Sequence, residues 1–422
     1  MINIPGFIVY SPMKVFFRTI HLYLSLAAGV IIFCSCLTGT MLVFEKDIQQ
    51  ALHHNRYFVE RGQTRIPLSA IKATLKNELP KAKLLSLMVY TDPERSIEAS
   101  VFLPEKKEKK EGAPAPEKKA GEKKGGKDDK PKEADRANLT VMINPYTGQI
   151  IEQFNRRETF LYSVEMFHRF LLGKRDSVGD WVISISTLFF LVILITGVIL
   201  WWPKTKAITK QRLKIKWDGS GKRLTNDLHI VTGFYTSIFL IIISASGLVM
   251  TFKWANNTLF FLTGSKVVGK EDTKAPLSVY QPGIKALKPE LAAASLSDKI
   301  ANAESYSVKL PKDTAAAYIF SVLKKGSVEL ATDVYYVDQY SGKIAGSVIY
   351  ADKNLGQRIR GVIKPIHTGS IYGWPTKILA FIICLVSLIF PVTGVMMWLN
   401  RIGVGKKKKK KPVRSRTAAV PA

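Results

Sequence analysis

Cysteine, acidic residues and nucleotide-binding motifs are scarce or missing in this chain of 422 residues. Three cysteines are too few for a disulfide framework, so a disulfide-stabilised fold is excluded. Aspartate and glutamate total 33 against 62 lysines and arginines, which gives a formal charge of +29. No Gly-x-Gly-x-x-Gly or Walker pattern occurs, so the sequence predicts no nucleotide-binding domain.

Charge is completely absent from four long runs. Each run has at least 22 residues without Asp, Glu, Lys or Arg, and about 20 apolar residues suffice to cross the hydrocarbon core. The runs therefore exclude a simple soluble protein and predict four transmembrane helices. They cover residues 20–44, 181–202, 230–252 and 378–399.

The short charged segments predict how these helices are oriented. Lys204–Arg223 holds eight basic residues and one acid, and the tail from Arg401 holds nine basic residues. The positive-inside rule places both segments in the cytoplasm, together with the N-terminus that carries Lys14 and Arg18. We expect a multi-pass protein of the bacterial inner membrane with both termini cytoplasmic. The basic tail is then a topology signal, or a site for anionic membrane lipids, and we expect no nucleic-acid partner.

This topology divides the chain into nine parts. Residues 1–19, 203–229 and 400–422 are cytoplasmic, and residues 45–180 and 253–377 are periplasmic domains between the helices. Residues 104–136 are rich in Lys, Glu, Pro and Gly and lack aromatic residues, so they predict a disordered insert at a hairpin tip.

The two periplasmic segments resemble each other. Asn144-Pro145-Tyr146-Thr147-Gly148 in the first corresponds to Asp338-Gln339-Tyr340-Ser341-Gly342 in the second, and both read as a strand ending in a tight turn. Each segment also begins alike, with Pro67-Leu68-Ser69 and Pro276-Leu277-Ser278 before a helical pattern. Short strands follow this pattern, at 99–103 with 139–144 and at 318–323 with 333–338. The predicted fold is a four-helix transmembrane bundle made of two parallel repeats, with two periplasmic α+β domains.

Four of the six histidines occupy equivalent places in the two repeats. His21 and His229 open the first and third helices, and His168 and His367 precede the second and fourth. Each helix also carries a pair of small residues. The pairs are Thr38-Gly39, Thr196-Gly197, Ser246-Gly247 and Thr393-Gly394.

Depth in the membrane relates the histidines to the small pairs. Thr38 follows His21 by 17 residues, and Ser246 follows His229 by the same number, which is about 25 Å along a helix. Each leaflet is therefore expected to hold two imidazoles and two small-residue notches, an arrangement that suits one haem iron with two axial histidines. Flanking cations are candidates for pairing with haem propionates. They are Arg18, Lys204 and Arg223 inside, and Arg169, Lys174 and Arg175 outside.

Simpler interpretations remain open at this stage. A histidine at a helix end can make only a local hydrogen bond, and small pairs can serve close helix packing. Zinc is a weaker alternative, since no Cys or carboxylate accompanies the histidines. His53-His54 fit a surface loop or a secondary metal or haem site, and the three cysteines fit apolar packing.

These motifs resemble the PepSY-associated transmembrane helix family. The likeness is carried by His168-Arg169-Phe170-Leu171-Leu172-Gly173, by Thr196-Gly197 through Pro203, by His367-Thr368-Gly369, and by the Tyr-Thr-Gly and Tyr-Ser-Gly turns. Ser246-Gly247 departs mildly from Thr-Gly, and no fused flavin domain is present. The resemblance implies PepSY-like periplasmic domains, and similarity to ferric-siderophore reductases with two b-type haems ligated by His21, His168, His229 and His367.

The sequence thus favours a di-haem electron-transfer protein that reduces periplasmic Fe(III) bound to a siderophore and that uses quinol or a separate cytoplasmic reductase as electron donor. No catalytic residue is assigned. The alternative is a non-enzymatic PepSY membrane protein that binds or restrains a periplasmic partner.

Overall fold

The computed structural model describes residues 12–104, 138–267, 275–280 and 282–403. Almost all of the predicted 104–136 insert and most of the basic tail lie outside these residues. Within the described ranges, four helical segments are long and apolar enough to cross a membrane. They are Pro12–Leu42, Val178–Trp201, Gly221–Thr251 and Trp374–Ile402, and they confirm the four predicted spans.

These helices extend past the charge-free runs. Helix α1 (Pro12–Leu42) begins before the first run, and the third span begins at Gly221 because Lys222 and Arg223 continue its helix into the polar segment. The fourth span consists of two helices that meet at Leu388. Pro391 follows shortly after this break, and a proline has no N–H to donate to the residue four positions earlier.

The helices after α1 comprise the other three spans and several shorter segments. In chain order they are α2 (Glu45–Leu52), α3 (His54–Tyr57), α4 (Leu68–Glu78), α5 (Phe160–Phe170), α6 (Val178–Trp201), α7 (Lys206–Arg212), α8 (Gly221–Thr251), α9 (Lys253–Leu262), α10 (Pro289–Ala294), α11 (Ser297–Ala301), α12 (Leu355–Thr368), α13 (Trp374–Ser387) and α14 (Ile389–Ile402).

The chain divides into two compact units. The helical unit comprises Met1–Leu37, Ile185–Ile241 and Ile382–Ala422, and the sheet unit comprises Thr38–Ser184 and Ile242–Phe381. In the helical unit, small apolar clusters join the membrane helices, one around Ala28, Ile32 and Ile193 and another around Leu194, Leu240 and Ile383.

The sheet unit contains one antiparallel sheet of eight strands. The strands are β1 (Lys83–Tyr90), β2 (Ile97–Phe102), β3 (Leu139–Ile143), β4 (Ile150–Phe154), β5 (Ala303–Lys309), β6 (Tyr318–Lys324), β7 (Asp333–Val337) and β8 (Ile344–Val348). Their order is β4-β3-β2-β1-β5-β6-β7-β8. Alternate residues of β2 and β6 are buried, as expected when one face of a sheet covers a core.

The sheet differs in one respect from the two separate domains that the sequence predicted. The predicted strand pairs are present as β2 with β3 and β6 with β7. However, β1 also pairs with β5, with Leu87 opposite Val308, and this pairing joins the two halves into one sheet. One hydrophobic cluster contains buried residues of both halves, including Leu87 and Phe320. The shared edge leaves neither β1 nor β5 with an unpaired row of backbone groups.

The two predicted turns follow β3 and β7. Gly148 and Gly342 have φ of 76° and 68°, a conformation that glycine adopts without steric cost. Asn144 Oδ1 accepts hydrogen bonds from the backbone of Tyr146 and Thr147, and Asp338 Oδ1 accepts them from Tyr340 and Ser341. The sequence similarity of the turns therefore corresponds to similar hydrogen bonding.

Candidate functional site

Two histidines face each other inside the helical unit. His21 is on α1 and His229 is on α8, and their ring centres lie 6.4 Å apart with planes inclined at 79°. Both rings are half-buried among apolar residues of the membrane helices. Helices α1 and α8 thus bring together two imidazoles that are 208 residues apart in the chain.

The Nδ1 atom of each ring meets a hydroxyl group on a neighbouring helix. His21 Nδ1 lies 3.1 Å from Thr196 Oγ1 and 3.0 Å from the carbonyl oxygen of Ile193, both on α6. His229 Nδ1 lies 2.9 Å from Thr393 Oγ1 on α14. Each histidine therefore has the small pair of one other helix as its partner.

These contacts determine which ring nitrogen carries the proton. A carbonyl oxygen can only accept, so His21 Nδ1 donates to Ile193. Thr393 Oγ1 also has the carbonyl of Ile389 as an acceptor at 2.7 Å, an arrangement compatible with His229 Nδ1 donating to the hydroxyl. With Nδ1 protonated in a neutral ring, Nε2 keeps its lone pair, which is the form that binds a metal.

The glycine of each small pair leaves space beside the ring. A Cβ on Gly197 would lie 3.4 Å from His21 Cε1, and one on Gly394 would lie 3.6 Å from His229 Cε1. An alanine would just reach van der Waals contact, and any larger side chain would displace the imidazole. The small pairs therefore supply both a hydroxyl acceptor and room for the ring.

A cavity of about 480 Å³ adjoins this pair, within the size range of cofactor sites. Most of its lining is apolar and aromatic, including Phe190, Trp201 and Phe390. Arg18 and Arg401 also line it. Of the other predicted cations, Arg223 pairs with the buried Asp227 at 2.8 Å and is not among the described lining residues.

A second pair of histidines lies in the sheet unit. His168 is on α5 and His367 is on α12, and their ring centres lie 6.2 Å apart with planes inclined at 58°. The sequence placed these histidines just before the second and fourth spans, but did not predict that each is carried by its own helix.

Local capping explains why α5 and α12 form. Thr159 caps α5 by accepting from the backbone of Tyr162, and Leu171 ends it in a left-handed conformation. Asn354 and Gln357 form a reciprocal capping box at the start of α12, and Gly369 ends that helix with φ of 74°. Each histidine consequently occupies the last turn of a short helix of defined length.

The second pair has the same kind of hydroxyl partner. His168 Nδ1 lies 3.0 Å from Thr38 Oγ1, and His367 Nδ1 lies 3.1 Å from Ser246 Oγ. His367 Nδ1 also donates to the carbonyl of Ile243 at 2.9 Å. Burial lowers the pKa of His367, although this backbone hydrogen bond partly opposes the shift, so its ring is neutral at pH 7.

The second pair also has room beside one ring, since a Cβ on Gly39 would lie 3.4 Å from His168 Cε1, as at Gly197. The predicted outer cations and His53-His54 lie in other surroundings. Arg169 pairs with Glu165 at 3.0 Å. His53 and His54 border a separate polar pocket with Arg56 and Glu152, and His54 stacks on Phe58.

Protein-only metal sites are not evident around these residues. Among residues 12–104, 138–267, 275–280 and 282–403, no three His, Cys, Asp or Glu side chains lie together as a metal-binding group. Structural and catalytic zinc sites use three or four protein ligands, so the zinc alternative has no support from the described residues. Cys384 is buried and Cys34 and Cys36 are half-buried, and none of the three forms a disulfide bond.

A family model described as the PepSY-associated TM region matches residues 18–401. The chain belongs to the PepSY-associated transmembrane family. The match includes all four paired histidines and all four small pairs of this PepSY-associated protein. No curated protein matches the chain.

Sequence reasoning missed three features of the site. The carbonyls of Ile193 and Ile243 accept from imidazoles, and no residue type reveals a backbone acceptor. Arg401 was assigned to the basic tail, although it lines the cavity. The helices α5 and α12 were not predicted, although the amphipathic pattern of apolar and polar residues in each segment could have indicated them.

Proposed function

We propose that this protein is a di-haem electron-transfer protein of the bacterial inner membrane that reduces periplasmic Fe(III), bound to a siderophore or another ligand. One observation carries the proposal. Each of two imidazole pairs has its ring centres just over 6 Å apart, with Nδ1 anchored to a buried hydroxyl of a Thr or Ser.

The ring separations suit one metal ion between two imidazoles. A metal–imidazole bond is about 2.0 Å long and the ring centre lies roughly 1.2 Å beyond the nitrogen, so two axial rings have centres about 6 Å apart. The separations of 6.4 and 6.2 Å agree with this value. Two imidazoles alone would leave most of a metal's coordination positions open, so each pair would suit haem, whose macrocycle supplies further ligands, better than a bare ion.

The protonation state suits the same role. Hydrogen bonding at Nδ1 fixes each ring and directs the basic Nε2 away from its acceptor, as second-shell partners do for metal-binding histidines. The four acceptor hydroxyls are 3–8% exposed, so water competes little for them. His21 and His367 additionally have the backbone carbonyls of Ile193 and Ile243 as partners of Nδ1.

The surroundings suit a flat apolar cofactor. Gly197 and Gly394 keep the walls beside the rings open, and the cavity next to His21 and His229 is lined mainly by apolar side chains that exclude water. Haem b supplies reversible one-electron chemistry when bound. The imidazoles of the two pairs would hold it, and the apolar lining would control its potential through low local polarity.

The proposed activity also needs a direction across the membrane. We place both termini in the cytoplasm and the sheet unit in the periplasm, from the basic residues of Lys204–Arg223 and the tail. Quinol or a separate cytoplasmic reductase would be the electron donor. Reduction favours iron release because hard oxygen ligands hold Fe(II) less tightly than Fe(III).

An absorption spectrum of the purified protein tests the proposal. We expect a Soret band that shifts on dithionite reduction, and two haems per chain by pyridine haemochrome analysis. The reduced protein should then be reoxidised by a ferric siderophore, with Fe(II) trapped by a chromogenic chelator. A full-length protein that contains no haem after expression with added haem precursor would contradict the proposal and favour a partner-binding role.

A reporter fusion tests the orientation separately. A periplasm-dependent reporter is expected to be inactive after Ala422 and within Lys204–Arg223, and active when inserted between residues 104 and 136. An active reporter at the C-terminus would reverse the proposed direction of electron flow.

A further inference from the structure

The cavity in the helical unit has chemically different ends. One end contains Arg18 and Arg401, whereas Phe190, Phe390 and Ser237 line the cavity further along the helices. Among the described residues that line the cavity, none is acidic. The cavity is therefore matched to a ligand with an apolar body and negative charge along one edge.

Helix geometry places both arginines at the same end. Arg18 precedes His21 by three residues, one turn of α1, so the two side chains project from the same face. Arg401 follows Gly394 by seven residues, two turns of α14, and again shares its face. Arg18 lies before His21 near the start of α1 and Arg401 lies near the end of α14, and both border the same cavity as the two histidines.

Neighbouring cations do not line the cavity. Arg223 is held by Asp227, which is only 3% exposed. Arg212 donates to the carbonyl of Leu200 at 3.2 Å and to that of Trp201. Neither residue is among those that line the cavity, so Arg18 and Arg401 are the cations that a cavity ligand would meet among the described residues.

We infer that Arg18 and Arg401 form a carboxylate-binding subsite that orients a planar dicarboxylate ligand in this cavity. The inference rests on the proposed function: with haem b the carboxylates are the two propionates, and their edge points to the end where α1 begins and α14 finishes. Guanidinium groups suit this role because their planar fork binds a carboxylate through two parallel hydrogen bonds. Arg18 and Arg401 are thus positioning residues for the ligand of His21 and His229.

Porphyrins with and without free carboxylates test the subsite. The full-length chain carrying His168→Ala and His367→Ala leaves one imidazole pair, and it is titrated in haem-depleted form with iron protoporphyrin IX and with its dimethyl ester. Binding is followed by the bis-imidazole spectrum. We expect the free acid to bind at least roughly tenfold more tightly than the ester, the scale of a charge-assisted hydrogen bond.

Arg18→Gln with Arg401→Gln should abolish this discrimination. The free acid should then bind about as weakly as the ester, and the affinity for the ester should be unchanged. Lys222→Gln is the matched control, because Lys222 is an exposed cation on α8 that does not line the cavity. It removes one charge and should retain the full preference for the free acid.

Three results would overturn the inference. Equal discrimination in the double arginine variant and the parent would show that other groups bind the carboxylates. An equal loss of acid and ester binding would show a structural role only. A preference for the free acid that is present in phosphatidylcholine nanodiscs and disappears with phosphatidylglycerol would show that anionic lipid occupies the arginines in a membrane. If the parent binds neither porphyrin, the proposed haem function itself fails.

Discussion

The two histidine pairs have similar ring separations but are carried by different kinds of helix. His21 and His229 project from long membrane helices, whereas His168 and His367 occupy the last turns of short capped helices outside the spans. Ring separations nevertheless differ by only 0.2 Å, from 6.4 to 6.2 Å. The common element is the small pair on the facing membrane helix, which supplies a hydroxyl acceptor at 2.9–3.1 Å in each case.

The rings also differ in the number of described hydrogen-bond partners of Nδ1. In each pair, one ring has both a hydroxyl and a backbone carbonyl as partners of Nδ1, namely His21 with Ile193 and His367 with Ile243. His229 is described with the hydroxyl of Thr393 alone. Ring orientation should therefore depend on the hydroxyl more strongly at His229 than at His21 or His367.

Under the proposed function, removal of one of the four paired histidines is expected to have the largest effect. His21→Ala, His229→Ala, His168→Ala and His367→Ala should each lower the haem content from two to about one per chain, because one imidazole leaves an open metal position and a weaker site. Haem is measured by pyridine haemochrome against protein concentration. His53→Ala and His54→Ala, at the separate polar pocket, are the controls and should keep both haems.

Double variants then test whether the pairs are independent. His21→Ala with His229→Ala should lose no more haem than either single variant, since both residues belong to one site. His21→Ala with His168→Ala should lose nearly all of it. Additive loss within the first combination would break the assignment of partners that the ring distances indicate.

Loss of a hydroxyl acceptor should have an intermediate and unequal effect. Thr393→Val keeps the shape of the side chain but removes the described partner of His229 Nδ1, and second-shell losses of this kind cost about 10–100-fold in metal affinity. Thr196→Val and Ser246→Ala should cost less, because Ile193 and Ile243 still accept from the rings. Haem affinity is measured by competition with apomyoglobin. A larger effect at Thr196 than at Thr393 would contradict the redundancy argument.

Replacement of the glycines by larger residues tests whether they provide room for the imidazoles or only allow close helix packing. Alanine at Gly39 or Gly197 would place Cβ 3.4 Å from a ring carbon in both pairs, so we expect a loss of haem affinity of only a few-fold. Valine should displace the imidazole and abolish binding at that pair alone. Gly221→Ala is the control, since no atom lies within 4 Å of its added Cβ. Equal responses at Gly39 and Gly197 would confirm that the two notches are equivalent.

Acidification should give the smallest effect, confined to the sheet unit. Burial raises the pKa of Asp338, but hydrogen bonds from Ser341, Val279 and Tyr340 outweigh it, so the pKa lies below its usual value. A carboxyl group with a lowered folded pKa contributes stability above its unfolded pKa of about 3.9, and this contribution is lost as the pH falls through the folded pKa.

The equivalent turn of the first half provides the comparison. Asn144 accepts similar hydrogen bonds but does not titrate in this range. Asp338→Asn should therefore remove part of the acid sensitivity, measured by hydrogen exchange of β7 and β8 between roughly pH 5 and 3. Unchanged acid sensitivity in this variant would show that other carboxylates control the sheet.

The amino-acid sequence by itself determined the four spans, the two turns and the residues of the candidate site. Runs without charge are long enough to cross a bilayer, and only a helix satisfies their backbone there. The turns were readable because Asn144 and Asp338 precede a glycine at a fixed offset. The histidines and small pairs were recognisable because they occupy corresponding places in both halves, with 17 residues from His21 to Thr38 and from His229 to Ser246.

Tertiary structure decided which of these residues meet. A membrane helix that is apolar all round does not reveal which face turns to which neighbour, so the sequence could place His21 level with Thr196 but could not bring Nδ1 to the carbonyl of Ile193. The single sheet depends on the pairing of β1 with β5, between strands more than 200 residues apart. The meeting of Arg18 and Arg401 at one cavity likewise joins opposite ends of the chain. Contacts of this kind form only when the helices and strands pack, because their partners are distant in sequence and no local pattern encodes them.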